Sequence, residues 1–426
     1  MKKRLLIISP YFAPVNAADM QRIRMSLPYF KENDWEVEIV MIHESLCEMV
    51  LDPLLLEHLP PDITIHKIGV ISKKITSKFG LGSIGIRSLW HYRRKVDLLL
   101  KSRQYDLIYF STTQFPVISL GPHWRRKFGV PFVVDMQDPW HSEYYKNKPR
   151  AERPPKYWFA YRLNKLLEAF SITKAAGIIS VSEAYITTLR GRYPELLAVS
   201  AETITFGAYA PDMDVARANG DRLGRLLMPG FKNIVYIGRG GLDMRRAIEP
   251  VFVEFKKLLE EHVGAANIRF YFIGTSYAPA GQGKATILPI AEQFGVADYV
   301  TEHTDRISYY QALATLQEAD ALFIPGSDDP AYTASKIYPY ILAKKPLLAV
   351  FNPDSPALSV LREFGLTAAY DYRQVNNNGI ASFITNVFMA NDVVPQYNES
   401  AITKYSAREM TRRQCSFFDK VLNEKN

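Results

Sequence analysis

Two carboxylates three residues apart, Asp135 and Asp138, end the segment Val133-Val134-Asp135-Met136-Gln137-Asp138-Pro139-Trp140, directly after an apolar run that reads as a buried strand. Strand carboxyl ends in an open parallel sheet carry the ligand-facing groups, so the pair suits binding or acid–base chemistry better than a capped turn. A second candidate is Ala331-Tyr332-Thr333-Ala334-Ser335-Lys336-Ile337-Tyr338-Pro339-Tyr340. A helix capped by Thr333 or Ser335 would aim free N–H groups, its dipole and the Lys336 ammonium at one point, which is phosphate chemistry. Asp212-Met213-Asp214 has the DxD spacing that can hold a divalent ion on a diphosphate. It falls in a segment that reads as linker, where a solvated turn is the better reading. Gly238-Arg239-Gly240-Gly241-Leu242-Asp243 carries two of the three glycines of a dinucleotide fingerprint, with Asp243 in place of the third, and the first strand is followed by no glycine-rich turn. A nicotinamide or flavin enzyme is set aside, and no GxxxxGK[ST] phosphate loop is present.

The elements that must position these groups follow an alternating pattern. Leu5–Ile8 is a strand apolar on both faces, followed by the loop Ser9–Pro14, a helix from about Asp19 to Lys31 and the strand Glu36–Met41. Further strands read at Leu107–Phe110, Phe132–Asp135 and Gly177–Val181, with a helix near 116–128, so the first half is a parallel α/β sheet. Residues 207–231 break the rhythm with Gly, Pro and polar residues and mark a domain junction. Alternation resumes with strands Ile234–Ile237, Arg269–Ile273, Ala321–Ile324 and Pro346–Val350 and a helix over 245–262. The chain of 426 residues is therefore expected to hold two doubly wound domains, 1–208 and 209–405, facing each other across a cleft, with 406–426 a helix returning to the first.

The eight histidines and two cysteines, Cys47 and Cys415, show no metal-ligand spacing and no disulfide framework, so neither a metal nor a disulfide is expected. No apolar run approaches the ~20 residues of a membrane span, and the Leu5–Ile8 core is too short for a secretion signal. A reduced, cytoplasmic protein is the expectation. Its net charge of +8 is lopsided: residues 1–208 hold 29 Lys+Arg against 20 Asp+Glu, and the remainder is slightly acidic. Residues 66–103 concentrate ten cations against the single acid Asp97, with Trp90 and Tyr92 among the interleaved apolar residues. That composition suits an anionic membrane surface or a lipid-linked ligand. The bland alternative is a solvated helix face, and no nucleic-acid motif accompanies the segment, so nucleic acid is not an expected partner.

Five segments in order resemble the GT-B glycosyltransferases, specifically the retaining group called family 4 in its bacterial polysaccharide and lipopolysaccharide form. They are Tyr11-Phe12-Ala13-Pro14 through Arg22, Asn33–Val37, VVDMQDPW, IGRGGLDMRR and ASKIYPYILAKKPLLAV, and together they span nearly the whole chain. The resemblance implies two Rossmann-like domains, an N-terminal one on the acceptor side and a C-terminal one for a UDP- or GDP-linked sugar, which is a substrate rather than a cofactor. Carried over, Arg239 with Arg245 or Arg246 would clamp the donor diphosphate without a metal, with Ser335 and Lys336 at the helix start and Gly274, Thr333 and Tyr338 on the same side. Asn16 and Ala17 stand at the glycine pair of the first loop, Gln137 at the arginine of RDPW, and Pro339 at the usual ribose-binding glutamate. Asp138 is the implied carboxylate acting on the acceptor, with Asp135 and His141 behind it. The implied activity is glycosyl transfer to a glycan or lipid-linked acceptor in cell-surface polysaccharide synthesis, by a cytoplasmic protein lying peripherally on the inner membrane. Two alternatives stay open: a nucleotide-sugar epimerase on the same fold, and a non-catalytic glycosyltransferase-like subunit.

Overall fold

Residues 2–76, 82–141, 143, 146, 149–150, 153, 157–330, 336–373, 377–389 and 394–424 are described by a computed structural model. The chain divides into two units, Met1–Gly207 with Ala407–Asn426, and Ala208–Ser406.

The first unit is built on β1 (Lys3–Ile8), β2 (Trp35–Ile42), β3 (Thr64–Ile68), β4 (Leu107–Ser111), β5 (Phe132–Met136), β6 (Gly177–Ser180) and β7 (Ser200–Thr203). They lie in the order β3-β2-β1-β4-β5-β6-β7, and every neighbouring pair is parallel. β4 and β5 are buried along their whole length, which is why their residues read as unbroken apolar runs. The order reverses between β1 and β4, so the loops after these two strands flank the crevice where open α/β sheets take ligands. Helices Ile84–Ser102, Gly121–Phe128 and Tyr157–Ile172 join one apolar cluster with Leu6, Val40, Phe110 and Val134 and thus cover one sheet face. Helix Ala407–Asn423 also packs on this unit: the Phe418 ring meets Tyr109 at 4.9 Å and Trp35 at 5.6 Å edge-on. Gly177 permits that approach, because a Cβ there would lie 2.6 Å from Val421.

The second unit repeats the plan with β8 (Lys232–Ile237), β9 (Ile268–Ile273), β10 (Val300–His303), β11 (Ala321–Pro325), β12 (Leu347–Phe351) and β13 (Ala369–Asp371), all parallel, in the order β10-β9-β8-β11-β12-β13. Its switch point lies between β8 and β11. Phe252 and Phe255 of helix Arg245–Glu261 pack edge-on against Phe270 of β9.

The segment read as an irregular junction holds two helices, Ala210–Ala218 and Gly220–Leu223. Pro211 stands in the first turn of the first, whose Met213, Val215 and Ala216 are buried. Asp212 is not a solvated turn residue: its two oxygens accept from the Tyr309 and Tyr310 hydroxyls at 2.8 and 2.9 Å. The helix expected from Asp19 forms in two parts, a 3-10 turn Ala18–Met20 and an α-helix Gln21–Phe30.

Candidate functional site

In the first unit, the chain leaving β1 is pinned at several points. Asn16 N–H donates to Val50 O at 2.8 Å, and Ala17 is buried. Asp19 is buried too, and its Oδ2 accepts from Thr112 Oγ1, Thr113 N and Thr113 Oγ1 at 2.9–3.1 Å, fastening the β1 loop to the β4 loop. Burial raises the Asp19 pKa, and the threonine bonds oppose that rise without cancelling it.

Asp135 faces inward at the end of β5. Arg22 Nε stands 2.7 Å from Asp135 Oδ2, and both side chains are almost wholly buried, at 1% and 0% exposure. Arg22 also donates to Ile204 O at 2.7 Å and Thr205 O at 3.1 Å, and its guanidinium lies 5.0 Å over the Phe206 ring. Ser111 Oγ and Gln137 Nε2 donate to Asp135 Oδ2 at 2.9 and 2.7 Å, and Gln137 reaches Asp19 O at 3.1 Å. Asp135 therefore tensions the loops around it and presents no oxygen to solvent. Gln137, at the arginine position of the motif, belongs to the same network.

Asp138 is exposed. The protein mass beneath it, and then the negative charge of Asp19, raise its pKa above the ordinary carboxylate value. His141 is turned into a buried cluster with Glu168 and Tyr161. Its Nδ1 is 3.9 Å from Glu168 Oε1, its ring is 4.7 Å from that of Tyr161, and neither ring nitrogen has a hydrogen-bond partner. Burial, and then the Arg192 charge, lower its pKa and keep it neutral. Arg192 and Tyr193 donate to Glu168 at 3.2 and 2.9 Å.

In the second unit Arg239 follows β8 and grips Asp243 with both ends of its fork, at 3.0 and 2.5 Å. Ser327 Oγ donates to the same carboxylate at 2.7 Å. Burial would raise the Asp243 pKa, but the Arg239 and Ser327 bonds outweigh it and hold the group below its usual value. Lys336 Nζ donates to Tyr236 Oη at 2.7 Å, and Tyr236 Oη donates to Arg239 O at 2.8 Å, so one tyrosine ties the two cations together. Gly238 has φ +152°, and the Lys336 ammonium occupies the place of its missing Cβ. Burial, and then repulsion from Arg239, lower the Lys336 pKa to about 7.

The other arginines are placed differently. Arg245 is paired with Glu249 and donates to Gln293 at 2.7 Å, and Arg246 lies 5.8 Å over the Tyr372 ring. Gly274 has φ +75° and donates to His303 O. Tyr338 is buried with its ring 5.7 Å from Tyr405, within helix Ile337–Leu342, which Lys336 precedes. Thr333 and Ser335 lie outside the described residues. Asp19, Tyr236 and Asp243 are partners that sequence reasoning missed; Asp243 had a signal, its i,i+4 spacing from Arg239. Among the described residues no group of three His, Cys, Asp or Glu could hold a metal ion.

Residues 32–207 match the family model described as Glycosyl transferase 4-like domain. No curated protein matches the chain in sequence. Three similar solved structures are the N-terminal domain of a trehalose-6-phosphate phosphatase from Candida albicans, a UDP-forming trehalose-phosphate synthase from Burkholderia xenovorans and a sucrose-phosphate synthase from Thermosynechococcus elongatus. Their identities are 14%, 12% and 13%, with TM-scores of 0.55, 0.53 and 0.54. The matches cover 100%, 99% and 99% of this chain and 98%, 98% and 97% of theirs. These likenesses show the fold, two doubly wound parallel α/β units as in the GT-B glycosyltransferases.

Proposed function

We propose that the protein is a glycosyltransferase that moves a sugar from a nucleotide-sugar to a glycan or lipid-linked glycan of the cell surface. One observation carries this reading: Arg239 and Lys336 are gathered on Tyr236 at the end of β8, with Asp243 holding the Arg239 fork. Such a pair of cations is stabilised by an anion, and a diphosphate has the oxygens to meet both. The family model over residues 32–207 and a neighbour named as UDP-forming support a nucleoside diphosphate as that anion.

In the transfer, the bond between the sugar carbon and the diphosphate oxygen breaks while the acceptor oxygen bonds to the same carbon. Arg239 and Lys336 hold the charge that develops on the departing diphosphate, so the residues present can do this without a metal. The exposed Asp138 carboxylate receives the proton of the acceptor hydroxyl, and the Arg22–Asp135–Gln137 network positions the loop that carries it. No helix of the described residues is long and apolar enough to cross a membrane. A lipid-linked acceptor would be met at an anionic surface through 66–103, where Arg93, Arg94 and Lys101 make no ion pair among the described residues while Lys67, Lys73 and Arg103 are paired with Glu44, Glu48 and Glu38.

Calorimetric titration with UDP and GDP tests the site. Arg239→Ala and Lys336→Ala should each weaken binding of the preferred nucleotide roughly ten- to hundred-fold, the worth of a charge-assisted hydrogen bond at about 1.5–3 kcal/mol. Unchanged affinity in both variants would sink the assignment.

A further inference from the structure

Helix Tyr157–Ile172 has an apolar residue on almost every side, yet it buries only Glu168, Ser171 and Ile172. Trp158, Phe159, Leu166 and Phe170 are 46%, 50%, 69% and 56% exposed. At 100° per residue these four fall within one third of the helix circumference, and the exposed Arg162 and Lys165 fall in or beside the same stripe. The Arg153 guanidinium lies 5.3 Å over the Trp158 ring at the start of the helix. A surface helix of an ordinary domain turns such residues inward, and a contiguous exposed apolar stripe marks a contact surface. Interleaved cations with no acid on the stripe select the partner: Trp, Phe and Leu beside Arg and Lys is the pattern of a helix lying in an anionic bilayer interface. A second helix on the same sheet face, Ile84–Ser102, also exposes Trp90, Arg93, Arg94 and Leu98, and Arg94 stacks 5.5 Å over Trp90.

We propose that helix Tyr157–Ile172 is the element by which the first unit enters an anionic lipid surface, sinking Trp158, Phe159, Leu166 and Phe170 among the acyl chains while Arg153, Arg162 and Lys165 meet the headgroup phosphates. The inference rests on the membrane reading above and relocates its anchor. Residues 66–103 contribute charge at the rim, because several of their cations are already paired within the unit. Aromatic rings with a nearby cation are the side chains that settle at this depth.

The tryptophans make the test direct. Trp35, Trp124 and Trp140 are buried, and only Trp90 and Trp158 are exposed. The full-length protein is mixed with phosphatidylglycerol–phosphatidylcholine vesicles, with and without brominated acyl chains, and co-sedimentation is read beside tryptophan quenching. The expected result is co-sedimentation with quenching that survives Trp90→Phe and is lost in Trp158→Phe. Phe159→Asp with Leu166→Asp should lower vesicle partition roughly tenfold or more, with the melting temperature unchanged. Co-sedimentation with quenching that follows Trp90 alone overturns the role of this helix and leaves the membrane reading standing. Absence of co-sedimentation at low salt overturns both. If the same double substitution instead abolishes a concentration-dependent dimer seen without lipid, the stripe serves a second copy of the chain and the lipid assignment fails.

Discussion

Asp135→Asn isolates the buried ion pair. The substitution keeps the shape of the side chain, so no cavity opens; what it removes is the negative charge 2.7 Å from an Arg22 that is 1% exposed. Breaking a buried pair by neutralising one partner leaves the other charge uncompensated, at about 3–5 kcal/mol. Arg22 keeps its bonds to Ile204 O and Thr205 O, which places the expected loss near the lower end, about 3 kcal/mol. A domain of this size loses about 2–4 °C per kcal/mol, so the first unit should melt roughly 6–12 °C lower. All five tryptophans lie before residue 207, so intrinsic fluorescence reports that unit separately from the second. Arg22→Met combined with Asp135→Leu should recover part of the loss, since an apolar pair carries no buried charge. A single Asp135→Asn protein melting within about 2 °C of the parent would refute the argument that this carboxylate positions rather than reacts.

Asp138→Asn should leave that melting curve and nucleotide affinity in place while lowering turnover roughly hundredfold or more, the usual contribution of a general base. Because desolvation by the protein beneath it and the Asp19 charge raise the Asp138 pKa, the acid limb of kcat/KM should lie above the ordinary carboxylate range, and Asp19→Asn should move it to lower pH; a fixed limb would disconnect the two carboxylates. Lys336, at about 7 in the free protein, is mostly neutral at pH 8 and must regain its proton when a diphosphate closes on it. Calorimetry at pH 8 in two buffers of different ionisation heat should therefore show net proton uptake on nucleotide binding, absent in Lys336→Gln, with affinity falling as pH rises above 7.

The buried parallel strands were legible in the residues because burial on both faces demands unbroken apolar runs, as in Leu5–Ile8 and Phe132–Val134. Lys336 was singled out by its place after the strand ending at Ile324 and Arg239 through the family resemblance, whereas the Tyr236 hydroxyl that joins them carried no sequence signal. What stayed hidden depends on direction rather than type. Asp135 and Asp138 sit three apart, yet one points into the sheet toward Arg22 and the other to solvent, and no local pattern separates them. His141 follows Trp140 in the motif but is drawn off by Glu168, 27 residues along the chain. The 207–231 segment misled because its Pro and Gly sit at a helix start and beyond its end, where they delimit a helix instead of preventing one. The pairing of Lys67, Lys73 and Arg103 with carboxylates of earlier elements could not be seen from local charge density.

Helix Ala407–Asn423 gives the first unit a delayed birth. During synthesis the seven strands of that unit emerge first, but the side chains of Trp35 and Tyr109 await Phe418, which is made only after the whole of Ala208–Ser406. At ~5–20 residues per second, those roughly 200 intervening residues occupy on the order of 10–40 s, long compared with the folding of a small domain. The second unit can close on itself while still on the ribosome, its ends joined by the bridge between Ala208 and Ser406. The nascent first unit meanwhile exposes a greasy, aromatic sheet face, a natural target for chaperones. The order of completion is thus the reverse of the order of emergence.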